Sequence, residues 1–297
     1  MGLGGVGIDG TYPEVSKDLM LSKLSVLKDQ FTENYNPDIK VRVDRIKRLQ
    51  LLVEENMDSF HKALQSDFGS RHEQMSLLSD TLPVINNAKD ALKNIHKWMK
   101  PEKRKPNFPL GLLGAKAYIQ FQPYGVVGII SPWNFPLILS IAPLVEVLAA
   151  GNNAMMKLSE FVPATSELTE ELISKYFNEK EVVVINGGPK TSQEFSSLPF
   201  DHLLFTGSTA VARKVALSAA ENLVPLTLEL GGKSPSIISQ NAKIKKTVDQ
   251  IMTGKLLNSG QICISPDYVF APSDKVSEFV EHAKNHVSER YPTIKNN

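Results

Sequence analysis

Val182-Val-Val-Ile185 and Leu203-Leu-Phe205 are short, wholly apolar runs, each followed by glycine and then by a segment with helical spacing. Strands buried on both faces of a parallel sheet require this pattern, because neither side of such a strand meets water. Reading outward, residues 126–130 predict a strand, 138–150 a helix stopped by Gly151, 153–158 a strand, 166–176 a helix, and about 210–221 another helix. This alternation argues for an α/β, doubly wound domain. From Glu229 onward the pattern is less regular, with strands near 236–238 and 268–271. Ahead of the alternation, apolar side chains recur three and four apart, at Met20, Leu24, Leu27 and Phe31, at Ile46, Leu49 and Val53, and at Ile85, Ala88, Leu92 and Ile95. Three amphipathic helices are expected there. The segment Lys100-Pro-Glu-Lys-Arg-Lys-Pro106 carries two prolines and reads as a solvated linker, hence a boundary.

At 297 residues the chain suggests about two domains. Its formal charge is +1, from 33 basic and 32 acidic residues, so nothing in it attracts nucleic acid or an anionic membrane surface. The one cysteine cannot form an internal disulfide, and no basic-then-apolar leader with a cleavage site opens the chain; a reducing, cytoplasmic compartment is expected. The stretch 137–150 is broken by Ser140, Pro143 and Glu146 and falls short of the roughly 20 residues a membrane span needs. His282 and His286 are four apart, but Lys284 lies between them and no third ligand recurs nearby. They read as a solvated helix face, and no metal is expected.

Gly2-Leu-Gly-Gly-Val-Gly7 matches a dinucleotide fingerprint to the letter. No strand precedes it, and a phosphate loop needs a strand behind and a helix ahead, so it reads as tail. Phe205-Thr-Gly-Ser-Thr-Ala210 does leave a strand and enter a helix. It is either a phosphate-binding turn, with helix N–H donors and close backbone approach, or a tight turn with an N-cap serine. Cys263, in Asn258-Ser-Gly-Gln-Ile-Cys263, is either a buried inert thiol or a nucleophile at an irregular junction after a polar, glycine-containing turn. Glu229, in Leu228-Glu-Leu-Gly-Gly232, is either a strand-end carboxylate facing water or a partly buried base. Asn134, in Ser131-Pro-Trp-Asn-Phe-Pro136, follows the first sheet strand at its carboxyl end, where it is either a turn residue or an oxyanion donor.

Five stretches in one chain order, Pro132-Trp-Asn-Phe-Pro136, Lys157-Leu-Ser-Glu160, Phe205-Thr-Gly-Ser208, Leu228-Glu-Leu-Gly-Gly-Lys-Ser-Pro235 and Gly260-Gln-Ile-Cys263, resemble the aldehyde dehydrogenase superfamily. The wording of Leu203-Leu-Phe-Thr-Gly-Ser-Thr-Ala-Val211 and Cys263-Ile-Ser-Pro-Asp-Tyr-Val269 is similar to the coniferyl aldehyde dehydrogenase branch of the class 3-like enzymes. The resemblance implies that Cys263 attacks an aldehyde carbon, that Asn134 and the Cys263 backbone N–H hold the oxyanion, and that Glu229 activates the water that hydrolyses the thioester. It implies NAD or NADP as cofactor, with Lys157 and Glu160 at the adenosine ribose, Gly207 and Ser208 at the pyrophosphate and Trp133 along the cofactor path. The expected substrate is an aromatic or medium-chain aldehyde, and a full-length relative is expected to be a homodimer.

The same resemblance divides the chain into an N-terminal helical region (1–106), an NAD(P)-binding, Rossmann-like domain with a doubly wound parallel sheet (107–228), and the incomplete opening of a second α/β catalytic domain (229–297). Two positions depart from the pattern. Ala212 stands in the cofactor loop where relatives carry glycine, and its methyl is expected to crowd either a helix–strand contact or the cofactor; Ile262 replaces a threonine. No Phe-Gly-Pro motif follows before Asn297, so the chain is expected to be truncated. That expectation brings an alternative, a catalytically inactive cofactor-binding fragment, and a weaker one, thiol-dependent ester hydrolysis.

Overall fold

The computed structural model describes residues 13–292, and the glycine-rich stretch 2–7 lies outside them. The chain forms two compact units, Met1–Glu229 and Leu230–Asn297.

The first unit opens with helices α1 (Lys17–Glu33), α2 (Ile39–Glu55), α3 (Met57–Phe68) and α4 (Glu73–Ser76), a π-helical turn (Leu77–Thr81) and α5 (Leu82–Trp98). Ser16 and Asp38 cap α1 and α2 by accepting hydrogen bonds from Leu19 N and Val41 N. Next come two short antiparallel strands, β1 (Glu102–Arg104) and β2 (Ala117–Ile119). The segment expected as a linker is thus half of a β-ribbon. Its Lys and Arg side chains are exposed, and the pairing is made by the backbone, which composition does not reveal.

The alternating part is β3 (Val126–Ile130), α6 (Ile138–Ala149), β4 (Asn153–Lys157), α7 (Pro163–Tyr176), β5 (Val182–Ile185), α8 (Pro189–Ser196), β6 (His202–Gly207), α9 (Thr209–Ala220) and β7 (Leu226–Leu230). The sheet order is β5-β4-β3-β6-β7, with β3 parallel to β4 and β6, and β4 parallel to β5. Gly151, at φ +90, closes α6 as the sequence anticipates. α7 starts three residues earlier than its apolar spacing predicts. Pro163 fits its first turn, and the Asp67 carboxylate of α3 accepts from Ala164 N (2.9 Å) and Thr165 N (2.8 Å), a cap supplied from far along the chain. β3, β4 and β5 are buried throughout. In β6 only Leu203 and Phe205 are, while Leu204 lines an apolar surface groove with Tyr124, Val127 and Ala142.

One apolar cluster joins the N-terminal helices to the sheet, through Ile46, Phe60 and Ile95 with Ile129, Leu144, Met156 and Ile173. The helices and the alternating part therefore share a core, rather than meeting at a boundary near residue 106. An ion-pair clip reinforces this contact. Glu181, just before β5, takes Arg48 through both carboxylate oxygens (2.9 and 3.0 Å) and Arg45 at 3.0 Å, with the Arg48 guanidinium 4.6 Å from the Phe177 ring. Burial works against charge on Glu181, but the Arg48 hydrogen bonds and the two arginine charges outweigh it and hold the carboxyl below its ordinary range. A carboxylate with a depressed folded pKa contributes stability above its unfolded value, about 4.3, and loses that contribution as pH falls through the folded one. Thermal unfolding followed from pH 7 to pH 3 is expected to show a Tm gap between the wild type and Glu181→Gln that narrows below about pH 4. A gap that widens on acidification contradicts the assignment.

The second unit holds β8 (Ser234–Ile237), α10 (Ile244–Leu256), a tight turn (Leu257–Gly260), β9 (Pro266–Phe270) and α11 (Val276–Arg290). β8 and β9 pair in parallel across the α10 crossover. Ile238, Ile244 and Val248 form a small core with Val269, Phe279 and Ala283. Ile237 and Phe270 are exposed. The observed strands start about two residues before the predicted ones. The reading of His286 as solvated is corrected: it is 3 % exposed, and its Nδ1 lies 3.0 Å from Asp249 Oδ1 because α11 packs on α10. Among the described residues no helix is long and apolar enough to cross a membrane.

Candidate active site

β3 and β6 are neighbours, yet the chain leaves β3 towards β4 on one side and β6 towards β7 on the other. Loops that diverge in this way leave a crevice at the carboxyl ends of the strands. Ile130 pairs with Phe205, so the two loops start level. One is Ser131-Pro-Trp-Asn-Phe-Pro136 and the other begins at Gly207-Ser208, which places Trp133 and Asn134 on one lip and Gly207 and Ser208 on the other.

The Asn134 loop is held from behind by a buried ion pair that the sequence does not announce. Arg71 Nη2 bonds Asp80 Oδ2 at 2.6 Å, both side chains being almost wholly buried, and Arg71 Nη1 donates to the Asn134 carbonyl at 3.2 Å. The second Asp80 oxygen accepts from Leu137 N (3.1 Å) and Ile138 N (3.3 Å), capping α6. The guanidinium also lies over the Phe68 and Phe135 rings, at 4.6 and 5.1 Å. Burial pushes the Asp80 carboxyl up and the Arg71 guanidinium down, and each charge opposes the other's shift. Trp133 is 37 % exposed, its ring centroid 6.4 Å from that of Phe68.

On the other lip the Ser208 side chain accepts from Val211 N at 3.3 Å, which makes it the N-cap of the twelve-residue α9. The serine-cap reading of this turn is therefore correct, and it leaves Ser208 exposed beside the helix N-terminus. A Cβ at Gly207 would sit 2.5 Å from the far end of the Phe205 ring, so packing against Phe205 already requires glycine there. Ala212 is 2 % exposed; its methyl lies against protein rather than solvent. Lys157 ends β4 next to Ile130, but at 1 % exposure its ammonium is occupied by Leu158 O (2.6 Å) and Glu160 Oε2 (3.3 Å). Burial lowers its pKa, against the pull of Glu160 and Glu14.

Glu229 lies in β7 and is exposed, which matches the reading of a strand-end carboxylate facing water rather than a partly buried one. In the second unit Cys263 is exposed, so the thiol is not a buried one. Three successive residues with positive φ precede its turn, Asn258 (49°), Ser259 (55°) and Gly260 (77°). Two of them are not glycine, and such conformations cost on the order of 1–3 kcal/mol each and collect at functional sites. Gly232 N–H donates to the Cys263 carbonyl (3.3 Å) and Ser265 N–H to that of Ile262 (3.1 Å), so the backbone around the sulfur is tied on both sides.

A five-stranded sheet of this order, with polar loops at its switch point and a capped helix entering beside them, defines a doubly wound domain of the dinucleotide-binding class. The aldehyde dehydrogenase family model matches residues 11–293, and the chain belongs to that family. It is 52 % identical over 262 residues to a probable coniferyl aldehyde dehydrogenase of Caulobacter vibrioides, covering 88 % of this chain and 54 % of that protein. It is 42 % identical over 292 residues to a coniferyl aldehyde dehydrogenase of a Pseudomonas species, covering 98 % and 60 %. Among solved structures it resembles the substrate-bound state of Staphylococcus aureus AldH, with a TM-score of 0.87 and 33 % identity over 92 % of this chain and 59 % of that one. An aldehyde dehydrogenase of Mycobacterium tuberculosis complexed with NAD+ gives a TM-score of 0.81 at 26 % identity, covering 94 % and 58 %. The chain thus spans little more than half the length of these relatives.

Proposed function

We propose that the protein oxidises an aromatic or medium-chain aldehyde, of the coniferyl aldehyde kind, to the carboxylic acid with NAD or NADP. The observation that carries this reading is the exposed Cys263 thiol on a backbone strained at Asn258 and Ser259. Its sulfur, as thiolate, adds to the aldehyde carbon and forms a thiohemiacetal. The Asn134 amide and the Cys263 N–H stabilise the oxyanion, Arg71 keeping the Asn134 backbone in place. When bound, the nicotinamide supplies the acceptor for the hydride that leaves the carbon. Glu229 then takes a proton from water, which cleaves the thioester and frees the sulfur. Its exposure leaves it open to that water.

The residues present suit a dinucleotide. The switch-point crevice has exposed Ser208 at a helix N-terminus for a pyrophosphate, and Trp133 on the facing lip. At the ribose end, Glu160 accepts hydrogen bonds from free hydroxyls, steadied by its ion pair with the buried Lys157. Glu160→Gln is expected to raise the KM for NAD about tenfold, the size of one charge-assisted hydrogen bond, and to leave the KM for NADP nearly unchanged. Equal effects on the two cofactors would place Glu160 elsewhere. Steady-state formation of reduced cofactor from coniferyl aldehyde tests the activity; cofactor binding by calorimetry without turnover would favour a catalytically inactive binding module. The exposed apolar Ile237 and Phe270 in the second unit are the observation on that side. Exposed Phe108, Leu112 and Leu113 beside the β1–β2 ribbon support association of two copies, and light scattering is expected to give a homodimer mass.

A further inference from the structure

Three side chains away from the crevice bring their polar atoms close together. Asp58 and His61 stand one turn apart on α3, and Glu73 opens α4. One ligand atom from each lies within 4.8 Å of the others. His61 is 8 % exposed, and its Nε2 is 3.3 Å from Thr81 Oγ1. The Thr81 hydroxyl also lies 3.4 Å from the Leu77 carbonyl, which accepts from it. Nδ1 is buried and without a hydrogen-bond partner, 3.7 Å from Glu73 Oε1. Acceptors gathered in this way lack an electropositive centre.

We propose that Asp58, His61 and Glu73 form a binding site for a divalent transition cation of the zinc class. One imidazole nitrogen and two carboxylate oxygens are a mixed set that zinc takes readily, whereas magnesium and calcium prefer oxygen alone. Ligand bonds of about 2.0–2.2 Å in a tetrahedral arrangement put the donor atoms roughly 3.3–3.6 Å apart. The His61–Glu73 separation is already near that, and the Glu73 side chain, 72 % exposed, is free to close the remainder. The fourth position opens to water. The Thr81 contact orients the ring from behind, as outer partners of metal-bound histidines do. Thr81 sits in the π-helical turn, a distortion that recurs at functional positions. Bound metal ties α3 to α4 across residues 69–72, the turn that carries Arg71 and so the tether of the Asn134 loop.

Calorimetric titration of the full chain with zinc chloride, paired with thermal unfolding, tests the site. The expected result is one equivalent bound with a rise in Tm, since a ligand that binds only the folded state stabilises it. Asp58→Asn and Glu73→Gln, both at exposed side chains and not expected to disturb folding, are each expected to weaken binding at least about tenfold. Cys263→Ser keeps it. Absence of zinc binding, equal binding by magnesium, unchanged affinity in both carboxylate variants, or loss of the site with Cys263 would each overturn the proposal.

Discussion

Cys263→Ala is expected to lower the rate of reduced-cofactor formation from an aromatic aldehyde by roughly 10⁴-fold or more, because no covalent intermediate forms without the sulfur. The loss is expected to fall on kcat, with cofactor binding and stability nearly unchanged. Cys263 is exposed, outside the small core of Ile238, Ile244 and Val248, and exposed substitutions usually stay within about 0.5 kcal/mol. The separation of the two effects is what gives the test its force. A fall in kcat accompanied by a collapse in Tm points to misfolding, whereas full turnover in a well-folded variant removes Cys263 from the chemistry.

The second large effect concerns stability. Asp80→Ala leaves the Arg71 guanidinium buried without its partner and strips the acceptor from Leu137 N and Ile138 N. Breaking a buried pair from one side costs about 3–5 kcal/mol, so for a unit of this size Tm is expected to drop by on the order of 10 °C. Replacing both partners, Arg71→Met with Asp80→Leu, removes the unpaired charge and is expected to recover part of that loss. The double variant still lacks the Arg71 bond to the Asn134 carbonyl, so its kcat is expected to remain depressed after stability has returned. Thermal unfolding and kcat measured on the same three proteins decide the matter. Recovery of both together means that the pair serves folding alone, and a loss below about 1 kcal/mol in Asp80→Ala means that the pair carries little of the unit's stability.

How far this arrangement is legible in the sequence follows the range of the forces involved. β3 and β5 announce themselves because continuous apolar runs are a local property, and Gly151 marks the end of α6 because its backbone needs positive φ. The turn before Cys263 is legible for a similar reason: a polar stretch with glycine does not continue a helix. What sequence spacing misses is supplied from a distance. The first turn of α7 depends on Asp67 from α3. The hold on Asn134 depends on Arg71 and Asp80, which look like ordinary members of a polar helical stretch until the fold buries them together. His286 looks solvated from its own helix and is buried only because α11 lies on α10. For Glu229 the sequence leaves burial open, since an apolar neighbourhood does not ensure burial in the last strand of a sheet, and the side chain is exposed. Gly207 carries a further lesson. Its glycine satisfies the Phe205 ring whether or not a phosphate ever approaches, so the residue type alone does not distinguish the two demands.

In the proposed chemistry Cys263 bears the acyl group and Glu229 brings the water that removes it. The most direct measurement is the intact mass of Glu229→Gln after incubation with coniferyl aldehyde and NAD, followed by peptide mapping. The expected result is a stoichiometric mass increase equal to the acyl group, confined to the peptide that contains Cys263. An unmodified protein, or an adduct on any other residue, would contradict it.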